Sequence, residues 1–172
     1  EAIGSRLGDV RVVINDLLMY MEPLQPIWLP VNKHGRQNSE YARRMHEAFE
    51  GPLPIMTFPA GLCSRRTKGV IADLEWRKSF IKQAHSTDRQ VVPVFVEGRL
   101  SNRFYNLANL RKKLGIKFNI EMILLVDEMV RQSGQTFTLR FGKPISREEL
   151  KQAGNYDEQV VFVRKKAYEM QK

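Results

Sequence analysis

Five short apolar runs rich in β-branched residues, at 10–14, 27–31, 53–58, 91–96 and 136–141, punctuate this chain. Between them the apolar residues switch to helical spacing. Strands separated by helices predict an α/β fold with a mixed, largely parallel sheet flanked by helices, because parallel neighbours need a crossover connection. The chain shows no repeat, low-complexity segment or linker, so its 172 residues read as a single domain, 1–172. That length can bury a core without disulfides, and one cysteine permits none within the chain. Metal binding through a cysteine-rich site is excluded for the same reason.

The breakers divide the helices. Asn15 or Asp16 can cap a short helix through Met21, stopped by Pro23 and Pro26. A polar turn follows at 32–35, and Ser39 reads as the N-cap of a helix carrying Tyr41, Met45, Ala48 and Phe49, ended by Gly51 and Pro52. A polar loop over 59–69 leads to a helix expected over 73–84, with Trp76, Phe80, Ile81 and Ala84 inward. Two more helices are expected over 103–114, with Gly115 as its C-terminal cap, and over 120–132. The run at 136–141 alternates, which predicts Phe137, Leu139 and Phe141 on one half-buried face. A short helix from Ser146 and a final one ending near Gln171 complete the chain. Residues 1–10 carry helical spacing with no cap before them and open on Glu1, so the chain is expected to begin inside a longer protein. No apolar run approaches the roughly 20 residues a membrane-spanning helix needs.

Charge is unevenly placed. Residues 1–50 carry a net −1, whereas 51–172 carry a net +10. The densest stretch, 99–117, holds Arg99, Arg103, Arg111, Lys112, Lys113 and Lys117 with no carboxylate. Such a field attracts phosphate, acidic headgroups, nucleic acid or an acidic carrier protein, or simply solvates a helix face. Leu107, Leu110 and Leu114 form one helical stripe there, which either packs into the core or faces an anionic bilayer. Phe104 and Tyr105 suit a core or the wall of an apolar ligand channel equally.

Candidate chemistry concentrates between Phe58 and Gly69. The segment follows a strand and precedes a helix, where ligands of α/β sheets bind. Gly61 permits close backbone approach, Ser64 offers a hydroxyl, and Arg65, Arg66 and Lys68 can neutralise an anion. Lys68 precedes Gly69, so this is not a Walker loop. Cys63 lies beside two cations that could favour its thiolate, but no positioned base accompanies it, and a small loop filler is the simpler role. Glu97 ends the fourth run and is best read as the partner of a neighbouring cation.

Phe58, Pro59, Gly61 and Ser64 resemble the third conserved block of the glycerolipid acyltransferases, whose usual form is Phe-Pro-Glu-Gly-Thr-Arg-Ser. The run 91–96 (Val-Val-Pro-Val-Phe-Val) resembles that family's fourth block, and 27–31 with the turn after it falls where the second would lie. The match is closer still to the branch called hemolysin-like acyltransferases, through Phe-Pro-Ala-Gly at 58–61, Ser64-Arg65, Asp73, Trp76, Lys78, Gly98, Asn102 with Phe104-Tyr105, and Gly142-Lys143-Pro144-Ile145. The resemblance spans about 10–146. It implies a glycerol-3-phosphate acyltransferase-like fold and transfer of a fatty acyl group from an acyl carrier protein or coenzyme A thioester to a lyso-lipid acceptor. No metal or other cofactor is implied. Phe58, Pro59, Gly61, Ser64, Arg65 and Arg66 become the substrate-binding residues, with 91–96 as a pocket wall. Attachment to an anionic membrane surface, peripherally on the cytoplasmic face, goes with such a product.

Two departures bear on that expectation. Ala60 stands where the common block has Glu, at a position that helps hold the acceptor, so the acceptor need not be a glycerol phosphate; a lyso-lipid built on an amino acid fits. The family's Asn-His-x4-Asp block, whose His is the base on the acceptor hydroxyl, is absent. Five residues beyond His34, His46 and His85 stand Ser39, Gly51 and Gln90. In family order the block belongs ahead of Glu1, so no catalytic residue is assigned and the chain alone is expected to be inactive. His46 and His85 are expected at the surface, and His34 sits in a polar turn. Two other readings compete: a non-catalytic lipid- or anion-binding domain on the same scaffold, and a basic nucleic-acid-binding module. The latter lacks any zinc, RRM or helix-turn-helix pattern.

Overall fold

The computed structural model describes residues 8–15, 26–31 and 39–171. The expected helix at 16–21 and the turn at 32–35, with His34, lie outside them. The chain divides into two compact units, one of Glu1–Pro59 with Arg77–Arg89, the other of Ala60–Trp76 with Gln90–Lys172.

The first unit is built on a parallel three-stranded sheet in the order β2-β1-β3, formed by β1 (Arg11–Asn15), β2 (Trp28–Val31) and β3 (Ile55–Met56). Val12 pairs with Trp28 and Arg11 with Ile55. Helix α1 (Ser39–Glu50) is the crossover from β2 to β3 and packs on β2. Its outer face is laced by Arg43–Glu47 and Arg44–Glu40 pairs at i,i+4. Ile14, Leu29 and Phe49 are buried here, as are Phe80, Ile81 and Ala84 of α2 (Ser79–Ser86).

The end of α1 is closed from a distance in sequence. Arg89 donates from Nε to the carbonyl of Phe49 at 2.6 Å and from Nη1 to that of Leu53 at 3.0 Å, with Nη2 on Gly51. A guanidinium on a helix's last carbonyls satisfies orphan acceptors and meets the negative end of the dipole.

Helix α2 starts at Ser79, six residues later than the spacing suggests. Asp73, its expected first residue, is held elsewhere: its carboxylate accepts from Trp76 Nε1 at 3.1 Å and from Ser64 Oγ at 2.7 Å. Local side-chain bonds of this kind compete with helix formation.

The second unit contains two antiparallel pairs. The expected loop 59–69 runs into one of them: its end forms β4 (Arg65–Thr67) and the turn of a hairpin whose second strand is β5 (Val70–Ala72), with Arg66 opposite Ile71. Its turn is Lys68-Gly69, with φ of 50° and 84°. Positive φ at both central residues matches the right-handed twist of the strands. The second pair joins β6 (Val94–Glu97) to β7 (Thr138–Phe141), and a bridge from Val91 to Ile145 extends it. Gly142 fits closely there: a Cβ on it would lie 2.8 Å from Pro93 Cγ, so any larger residue would force a shift. Thus 91–96 and Gly142–Ile145, two of the segments that carry the family resemblance, are hydrogen-bonded to each other.

The helices of this unit are α3 (Asn102–Lys113), a 3₁₀ turn (Ile120–Leu124), α4 (Leu125–Arg131), α5 (Arg147–Gln152) and α6 (Tyr156–Tyr168). Capping boxes start α5 at Ser146 with Glu149 and α6 at Asn155 with Glu158. Gly115 closes α3 as expected: with φ of 70° it lets Ile116 N–H reach the Arg111 carbonyl at 3.1 Å.

One expectation about burial fails in this unit, and one open alternative is decided. The strand begins at Thr138, and Phe137 just before it and Phe141 at its end are exposed rather than half-buried with Leu139. On α3 the buried residues are Phe104, Tyr105 and Ala108, while Leu110 and Leu114 face outward. The aromatics at i, i+1 and Ala108 at i+4 define the packed side, which turns the leucine stripe away.

Candidate functional site

The two strand arginines straddle the first turns of α3. Side chains alternate along a strand, so consecutive Arg65 and Arg66 leave the hairpin on opposite faces. The Arg65 guanidinium lies 5.5 Å from the centre of the Phe104 ring, that of Arg66 5.7 Å from the Tyr105 ring, and the two rings meet edge to face.

Their polar partners separate them chemically. Arg65 donates to the Cys63 carbonyl at 2.8 Å and from Nη2 to Glu121 Oε1 at 2.8 Å. Glu121 is fully buried and its other oxygen lies 2.9 Å from Arg111 Nε, an ion pair in which the N–H is not aimed for a hydrogen bond. One buried carboxylate therefore holds two arginines, and Arg65 is largely consumed by structure. Arg66 pairs instead with two amides, donating to Asn102 Oδ1 at 2.9 Å and to Asn106 Oδ1. It meets no carboxylate among the described residues, so its positive charge is uncompensated. Asn102, one of the residues that carry the family resemblance, is joined one turn later on α3 by Asn106, to which no sequence motif points; nor does one point to Glu121, the first carboxylate after the basic stretch.

Ser64 belongs to a second cluster. Asp73 takes the Ser64 hydroxyl on Oδ1 and the Trp76 indole on Oδ2, while its backbone N–H donates to Tyr168 Oη at 2.8 Å. Its carbonyl accepts from Arg164 Nη2 at 3.1 Å, and Arg164 lies 4.9 Å over the Tyr168 ring. Tyr168 in turn packs edge-on against Phe95 of β6. Asp73 thus ties the hairpin's end to α6. Gly61 turns with φ of 65° in the same unit. Phe58 and Pro59 belong to the first unit, Phe58 exposed and Pro59 accepting the Arg77 N–H at 3.1 Å.

The other reactive residues take structural positions. Burial pushes the Cys63 thiol above its ordinary pKa against the lowering pull of Arg65, which disfavours a thiolate nucleophile and agrees with the simpler role of a loop filler. Glu97 pairs with Arg140 of β7, whose Nε donates at 3.0 Å. His46 stands exposed on α1, 3.3 Å from Glu50, and His85 is half-buried in α2.

A protein-family model described as "Acyltransferase" matches residues 1–172. Lyso-glycine lipid O-acyltransferase of Phocaeicola vulgatus is 51% identical over 138 residues, covering 80% of this chain and 50% of that protein. The enzyme of the same name from Bacteroides thetaiotaomicron is 50% identical over 138 residues, 80% of this chain and 51% of its own. The chain thus spans about half the length of these curated relatives. No solved structure matches it. With a family model matched along its whole length, the chain belongs to the acyltransferase family.

Proposed function

We propose that the intact protein transfers a fatty acyl group from an acyl carrier protein or coenzyme A thioester to a hydroxyl of a lyso-lipid built on glycine. The observation that carries this reading is the identity of half of all aligned residues, over four-fifths of the chain, to two lyso-glycine lipid O-acyltransferases. Ala60 agrees with it, standing where glycerol-phosphate enzymes of the resembling family use Glu. In the reaction the acceptor oxygen attacks the thioester carbonyl, a C–O bond forms, the C–S bond breaks, and the leaving sulfur takes up a proton. In the resembling family the base is the His of a His-x4-Asp block, a pattern these 172 residues do not contain. This chain's share is to hold the substrates. A peripheral position at the cytoplasmic face of the membrane belongs to the same reading.

Arg66 is the residue assigned to the acceptor's negative group, a carboxylate when the lipid is built on glycine. Its guanidinium has five N–H donors, two of which are spent on Asn102 and Asn106, and these amides aim it without cancelling its charge. Gly61 and Ser64 form the adjoining backbone, with Phe58 and Pro59 delivering the chain to it. Arg65 keeps the hairpin in place through Glu121.

The test is turnover of lyso-glycine lipid by the full natural chain, with wild type compared to Arg66→Ala. Loss of a charge-assisted pair raises the acceptor KM by roughly ten- to a hundredfold with the donor KM unchanged. An unaltered acceptor KM would remove Arg66 from the site. A wild-type enzyme inert towards this acceptor would remove the function.

A further inference from the structure

Between Leu110 and Val130 the second unit leaves a succession of large apolar side chains exposed to solvent. Leu110 lies on α3 and Leu114 one turn on, at its C-terminal cap; Phe118 stands in the segment after it at 74% exposure, and Ile123 lies in the 3₁₀ turn at 76%. Val126 and Val130 continue along one side of α4, also exposed. Exposed apolar side chains in succession on short amphipathic elements mark an interaction surface.

The turn that carries Phe118 is held stiffly. Arg111 reaches over it, donating from Nη1 to the Ile116 carbonyl at 2.7 Å and pairing through Nε with the buried Glu121. The surrounding charge is of one sign. Lys112, Lys113 and Lys117 are exposed and have no ion-pair partner among the described residues. The acids nearby are all engaged: Glu121 is buried between two arginines, Glu128 is buried on the Ser101 N-cap, and Asp127 pairs with Arg103 and Arg131.

We propose that this surface docks on an anionic lipid bilayer, with Phe118, Ile123 and Val126 entering the headgroup–acyl boundary and Lys112, Lys113 and Lys117 meeting lipid phosphates. Apolar insertion and lysine attraction add at such an interface, and neither alone anchors a protein firmly. A soluble protein partner would need an acidic rim around an apolar centre, whereas anionic lipid supplies both by its nature. The inference stands on the geometry of this unit and does not depend on which lipid is acylated.

The experiment is co-sedimentation of the full natural protein with phosphatidylcholine vesicles, with and without phosphatidylglycerol. Phe118→Ser/Ile123→Ser/Val126→Ser should weaken partition by about tenfold or more at an unchanged melting temperature and oligomeric state. Lys112→Gln/Lys113→Gln/Lys117→Gln should abolish the preference for phosphatidylglycerol and its salt sensitivity. Wild-type partition in the serine variant overturns the proposal. So does a change of oligomeric state, which would make the face a contact between copies, or a marked fall in melting temperature, which would mean another part of the protein covers it. Turnover of detergent-dispersed lyso-glycine lipid separates the two ideas: the serine variant should match wild type there. Wild-type inactivity would defeat the proposed function while leaving the vesicle result standing.

Discussion

Arg65 and Glu121 lie 56 positions apart in sequence, yet Arg65 Nη2 donates to Glu121 Oε1 at 2.8 Å, and that carboxylate is fully buried. The pair fastens the β4–β5 hairpin to the 3₁₀ turn and, through Arg111, to the end of α3. A buried carboxylate between two arginines is costly to form and costlier to break, because removal of the centre strands two cations out of water.

Glu121→Gln should therefore destabilise the protein by about 3–5 kcal/mol, read from denaturant unfolding. The same substitution should loosen the turn around Phe118, so proteolysis near Lys117 should quicken. Stability equal to wild type would show that Arg65 and Arg111 need no counter-charge.

Arg89 closes α1 by donating to carbonyls beyond the reach of any helical N–H. Arg89→Met keeps most of the stem's packing and removes those bonds, so a loss of about 1–3 kcal/mol is expected. Arg89→Lys should restore only part of it, since one ammonium cannot span the fork of acceptors.

Gly142→Ala tests the contact between the two paired resemblance segments. The new methyl would sit 2.8 Å from Pro93 Cγ, part of a rigid ring with little room to yield, so overpacking should cost about 1–3 kcal/mol. A neutral effect would mean that the strands separate at no cost.

Cys63 and Tyr105 both have their pKa values raised, in each case chiefly by burial. Their ionised forms are thus favoured in the unfolded chain, and folding holds the protons on. The stability this represents is intact below the unfolded values, about 8.5 for a thiol and 10 for a phenol, and erodes as pH rises through the higher folded ones. Alkylation of Cys63 at pH 8 should accordingly run slower in the native protein than in denaturant. Equal rates would show a thiol that burial does not protect.

Much of the local structure is legible in the chain itself. Apolar runs became strands, a helix starts at Ser146, and Gly115 ends α3 where the spacing puts it. The hairpin at 65–72 escaped notice because its turn uses Lys68 where Asn or Asp more often stands. The late start of α2 escaped for a different reason: Asp73 has partners in Ser64 and Tyr168 that no local window contains.

The sequence by itself determined the alternation of strand and helix, the excess of positive charge beyond residue 50, and the blocks by which the family is known. All of these are properties of neighbours along the chain, where periodicity, capping and backbone preference act. Only the tertiary structure decided which arginine of the 65–66 pair meets a carboxylate and which does not. Identical side chains one residue apart face opposite ways from a strand, and a carboxylate 56 positions away reaches one of them. The outward turn of Leu110 and Leu114 was settled in the same way. A helix with apolar residues on two sides can bury either, and the packing of Phe104 and Tyr105 beneath Arg65 and Arg66 selected the aromatic one.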